Sequence, residues 1–156
     1  MKLLATTTLS LALAVGGVCA HAEGMQISPA GSTPTQIGDA KTFSGQAAVD
    51  LKAAGNSGRY GSVGQVDFMP GARTAWHTHP AGQLLIVTEG RGWVQEQGQP
   101  KREIKAGDVV WCDPDVKHWH GAAKDSRMSH YAITYVRDGK AVDWMELVSD
   151  EQYNGR

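Results

Sequence analysis

The stretch PGARTAWHTHPAGQLLIVTEGRG (70–92) decides how this chain is read. His77 and His79 stand one residue apart in it, Gln83 follows four positions later, and QLLIVT (83–88) is an apolar run of strand length. Successive side chains on a strand alternate between faces, so residues i and i+2 point the same way. His77 and His79 therefore send two imidazoles to one side. The pattern recurs at His118 and His120 in GDVVWCDPDVKHWHGA (107–122). If both strands face one interior, four imidazoles converge. Packing them together is costly unless a metal ion or a proton network satisfies their nitrogens, so this clustering predicts a metal site.

The rest of the chain frames that centre. Of its 156 residues, the first 22 read as a secretory signal: Lys2, an apolar run from Leu3 to Val18, and a small-x-small end at Ala20-His21-Ala22. Cleavage there makes the protein exported, periplasmic or secreted, and leaves no membrane attachment. It also removes Cys19, so Cys112 alone remains and no internal disulfide can form. Taking Lys2 from the 15 basic residues, against 16 acidic, leaves a net charge of −2. There is no basic stripe, which excludes a nucleic-acid partner.

Residues 23–40, rich in Gly, Pro, Ser and Thr, read as an irregular N-terminal arm, and 41–156 as one domain. Within that domain, strand-length runs fall at 46–51, 62–68, 83–88, 92–97, 108–113 and 129–136. EGRG (89–92), QGQPK (97–101) and RDGK (137–140) read as hairpin turns. SDEQYNG (149–155) opens with an N-cap residue and predicts one helical turn. The expected fold is a compact all-β sandwich or barrel of seven to ten short strands.

The spacing of Gly71, His77, His79, Gln83 and Gly90, followed by Gly107, Pro114 and His118, resembles the two sequence motifs of the cupins. That resemblance implies a single-domain jelly-roll β-barrel holding a divalent metal, with His77, His79, Gln83 and His118 as its ligands. Most cupins carry Glu where this chain has Gln83. Three neutral imidazoles and an amide leave a divalent ion its full charge, which strengthens it as a Lewis acid and disfavours its oxidation.

Further segments, including KHWHGAA (117–123), MSHYAI (128–133) and DGKAVDWMELVSDEQY (138–153), resemble the bacterial cupin hydroxynitrile lyases of the (R)-mandelonitrile lyase type. The resemblance implies Mn2+ (or Fe2+, Zn2+, Ni2+ or Co2+) as cofactor, and cleavage of a small-molecule cyanohydrin to an aldehyde and hydrogen cyanide. It implies His130 as the base that removes the hydroxyl proton and His120 as a second proton-handling group. It also implies a homo-oligomer. Two other readings share the fold and the metal: a cupin dioxygenase with iron or copper, and a non-catalytic exported metal-binding cupin. The tryptophans read as packing, one or two of them bounding an aryl pocket. Arg73 reads as a surface or structural ion pair rather than an anion site, Cys112 as packing, and Gly64, Val66 and Thr134 as pocket positions.

Overall fold

The computed structural model describes residues 24–55 and 61–155; the expected leader at 1–22 lies outside the described residues. Strands dominate. In chain order they are β1 (Gln36–Ile37), β2 (Phe43–Ser44), β3 (Ala47–Ala53), β4 (Gly61–Phe68), β5 (Arg73–Thr74) and β6 (His77–Thr78). Then come β7 (Gln83–Glu96), β8 (Arg102–Lys105), β9 (Val109–Cys112), β10 (His118–Ala122), β11 (Met128–Tyr135) and β12 (Asp143–Trp144). One helix, α1 (Asp150–Asn154), closes the chain.

The strands form a curled antiparallel sheet in the order β1-β3-β4-β11-β7-β10-β5-β2. β7 is the hinge of that curl. Its first part, Gln83–Ile86, pairs with β9, and its last part, Gly92–Glu96, pairs with β10. At the changeover the register against β11 slips between Ser129 and His130. A bulge of this kind bends a strand and sharpens its twist.

EGRG is therefore not a hairpin turn, because the strand runs through it. The glycines serve close approach instead: Gly90 has φ 69°, and a Cβ on it would sit 1.9 Å from the Arg127 carbonyl oxygen. Turn and bulge draw on the same residue type, so composition alone does not separate them. QGQPK does connect β7 to β8, and RDGK closes on the Arg137–Lys140 bridge. The arm also departs from expectation at its end, where β1 adds to the edge of β3.

The inward faces of the curled sheet bury Val66, Phe68, Val87, Val94, Ile104 and Met128 as one cluster. A second cluster, Trp76, Trp119, Val148 and Tyr153, packs α1 against the strands that carry the histidines. Ser149 caps α1 through a capping box with Gln152. Buried Arg73 reaches from β5 to the Val148 carbonyl at 2.8 Å and to Asp150 at 2.8 Å, while the Tyr153 hydroxyl donates to the Ala122 carbonyl at 2.7 Å. Of the surface or structural ion pair expected for Arg73, the buried guanidinium bears out the structural one, with an exposed partner in Asp150. Gly121 makes the neighbouring approach of β10 to β5 possible, since a Cβ there would fall 2.5 Å from the Ala72 carbonyl oxygen.

Candidate metal centre and catalytic cavity

The four expected metal-binding residues arrive from three elements. His77 lies on β6, His79 just past its end, Gln83 at the start of β7 and His118 at the start of β10. β10 pairs with β6 so that His118 stands directly opposite His77. The rings of His77 and His118 are 4.4 Å apart by centroid, and those of His77 and His79 4.9 Å. One nitrogen from each of the three imidazoles lies within 4.8 Å of the others, and all three residues are buried.

Ring orientation is locked from behind. His77 Nδ1 donates to the Ala75 carbonyl at 2.9 Å, His79 Nδ1 to the Ala141 carbonyl at 2.8 Å, and His118 Nδ1 to the Val116 carbonyl at 2.9 Å. A proton on each Nδ1 leaves each Nε2 as a lone pair facing inward, the arrangement metal-binding histidines adopt. His79 Nε2, His118 Nε2 and Gln83 Oε1 are buried without a hydrogen-bond partner. Leaving such acceptors dry and unpaired is expensive. A divalent ion would satisfy them together, and the donor set of imidazole nitrogen and amide oxygen suits one.

Burial pushes the His118 imidazole down to about 4 and lowers His77 and His79 as well, so all three are neutral near pH 7, the state a ligand needs. His130, wholly buried, is also pushed down to about 4 by burial. In the unfolded chain such a histidine titrates near 6.5, so the stability it contributes is complete above that pH and is lost as the pH falls toward about 4. With metal removed by a chelator, urea unfolding should therefore show a loss of about 3 kcal/mol per such imidazole between pH 6.5 and pH 4. An unchanged midpoint across that window would contradict the neutral buried state.

Beside the three histidines opens a cavity of about 380 Å³. His77, His79, Gln83 and His120 are among its polar lining; Phe43, Val66, Ala132 and Trp144 are among its apolar lining. Gly64 and Thr134 line it too, as expected, and Trp144 is the one tryptophan that does, lying 4.7 Å from His77 by ring centroid. No Lys or Arg side chain lines the cavity among the described residues; Asp39 is its one charged residue. Cys112 stays out of it, buried, with its thiol pushed up to about 11 by burial. That agrees with packing.

His120 and His130 are brought together, in unequal positions. His130 is wholly buried and is not part of the cavity wall. Its Nε2 lies 3.1 Å from His120 Nδ1, so the two imidazoles share one hydrogen. Phe68 holds both, with ring centroids 5.9 Å from His120 and 5.5 Å from His130. His120 thus stands at the cavity face, with His130 behind it.

Sequence reasoning missed several contributors. Phe68 supports the pair from the end of β4, the Ala141 carbonyl orients His79, Gln36 and Ile37 bring the end of the arm to the cavity, and Phe43 on β2 joins them. Only Phe68 carried a signal, as the last inward residue of an alternating run.

Comparison with known proteins agrees with this architecture. The family model of the cupin domain matches residues 64–136. A curated protein of Granulicella tundricola, named (R)-mandelonitrile lyase, is 51% identical over 129 residues, which cover 83% of this chain and 98% of that one. The chain is a cupin. Among solved structures, a cupin-like protein of Thermotoga maritima is 42% identical with a TM-score of 0.73, covering 76% of this cupin and 90% of its own chain. The polyketide cyclase RemF of Streptomyces resistomycificus shares the fold alone: TM-score 0.64 at 14% identity, covering 84% of this chain and 92% of its own. The all-β cupin fold implied by the two motifs is the fold observed, with twelve strands among the described residues where seven to ten were expected, and three buried histidines in this cupin could hold a metal ion.

Proposed function

We propose that this cupin is a metal-dependent lyase that cleaves cyanohydrins such as (R)-mandelonitrile to an aldehyde and hydrogen cyanide, and catalyses the reverse addition. The observation that carries the reading is the convergence of His77, His79, His118 and Gln83 beside an apolar cavity walled by a further imidazole, His120, in a chain half identical to the named lyase. A cavity without Lys or Arg favours a neutral substrate over a carboxylate, which would want a cationic partner. Phe43 and Trp144 supply aromatic surface for an aryl group.

A divalent ion held by the three histidines and Gln83, with Mn2+ the expected occupant, would act as a Lewis acid toward the substrate oxygen. His120 accepts the hydroxyl proton at the cavity face. This requires the shared hydrogen to sit on His120 Nδ1; His130 Nε2 then accepts it and stabilises the charge that His120 acquires, or takes the proton one ring back. The carbon–cyanide bond then breaks with its electron pair leaving as cyanide, the carbonyl forms, and the held proton returns to cyanide. The test against the dioxygenase reading is direct. Anaerobic release of benzaldehyde from mandelonitrile supports the lyase; turnover of an added phenol or diketone with oxygen uptake, and no benzaldehyde, would replace it.

Residues 1–22 support an exported enzyme, periplasmic or secreted. A homo-oligomer is supported by the outer face of the sheet, where exposed Val109, Trp111 and Tyr131 share one side by register with Leu84 and Ile86. Sedimentation equilibrium should give a multiple of the chain mass, and a monomer at micromolar concentration would refute it.

A further inference from the structure

The three histidines have their ring orientation fixed by backbone carbonyls, but an amide differs from an imidazole. Its oxygen and NH2 ends are nearly the same shape, so packing does not distinguish them and hydrogen bonding must. Gln83 Oε1 has no partner and Gln83 Nε2 donates to Thr134 Oγ1 at 2.9 Å, with both residues buried. The contact is built into the sheet, because Thr134 on β11 stands directly opposite Gln83 on β7. A β-branched side chain on a strand is stiff about χ1, so the hydroxyl is held in place before any ion arrives.

We propose that Thr134 is a positioning residue: when an ion draws the amide oxygen toward the three histidines, its hydroxyl accepts the Gln83 N–H that would otherwise be buried unpaired. This rests on the metal site of the proposed function. Without the hydroxyl, the NH2 group is buried with nothing to donate to on that side. It then gains most by turning over and donating to the free Nε2 of His79 or His118. That one rotation withdraws the oxygen ligand and blocks an imidazole lone pair. A glutamate at position 83 has no N–H, and either of its oxygens serves, so it is indifferent to Thr134 in this respect.

The test is a double-mutant cycle read by Mn(II) affinity, from chelator competition on the purified chain, with Mn(II) EPR linewidth as a second readout. Thr134→Val should weaken Mn(II) binding by about 10–100-fold, the usual cost of losing a ligand's supporting partner. Thr134→Ala should do the same without asking a valine methyl to fit, and Thr134→Ser should retain affinity. In a Gln83→Glu background, Thr134→Val should cause no comparable loss. Equal losses in both backgrounds would mean a general packing role and overturn the proposal, as would wild-type affinity in Thr134→Val. A wild-type chain that binds no Mn(II) would overturn the metal site itself, which separates the two failures.

Discussion

Replacing His120 with alanine is expected to lower kcat for mandelonitrile cleavage by about 10²–10⁴-fold, the usual contribution of a general base. The metal content should stay at the wild-type level. His120 meets the cavity, whereas the nitrogens that converge for an ion belong to His77, His79 and His118. In the proposed mechanism, proton handling and metal holding are therefore separable on the same strand. His130→Ala should lose less, because the imidazole at the cavity face survives and forfeits only its 3.1 Å partner. The double variant should lose little more than His120→Ala, since in the proposed mechanism both residues serve one proton path. Full kcat in His120→Ala with collapse in His130→Ala would return the base to His130 and require a cavity that reaches it.

The second large effect concerns the histidine cluster. His77→Ala removes a buried imidazole that touches both His79 and His118 by ring contact. It should abolish stoichiometric Mn(II) binding and reduce cleavage by more than the about 10–100-fold typical of changes behind the ligands. Binding and stability are linked: at a free-ion concentration 100 times Kd, a bound ion adds about 2.7 kcal/mol to the folded state. For a chain of this size that corresponds to a thermal midpoint roughly 5–10 °C higher in metal than in chelator. Wild type should show the shift and His77→Ala should not. A variant that kept both shift and turnover would place the ion elsewhere.

What could be read before the structure follows from local rules. The two His-x-His pairs project from strands to one side, and their rings do meet; β10 carries His118 and His120 together because residues two apart share a face. The N-cap at Ser149 was equally local and was found as expected. What escaped depends on contacts between distant segments. Whether His120 or His130 faces the cavity is set by how β11 and β10 lie across the curl, a relation no spacing within either strand encodes. The bulge at the centre of β7 reads as a turn because both call for glycine. The part that Gln36 and Ile37 take in the cavity wall depends on where an arm without periodicity comes to rest. The amide of Gln83 was visible as a departure from the usual acid, but its partner Thr134 lies 51 residues away and is found only through strand register.

The most direct measurement is benzaldehyde release from (R)-mandelonitrile by metal-stripped protein titrated with Mn(II). It should be run at a pH low enough to suppress the spontaneous reaction, with bound metal measured on the same samples. Release that rises in proportion to bound Mn(II) and levels off at one ion per chain is the predicted result. One ion bound per chain with release no faster than buffer would contradict the account: the histidine cluster would hold its metal, but for chemistry other than cyanohydrin cleavage.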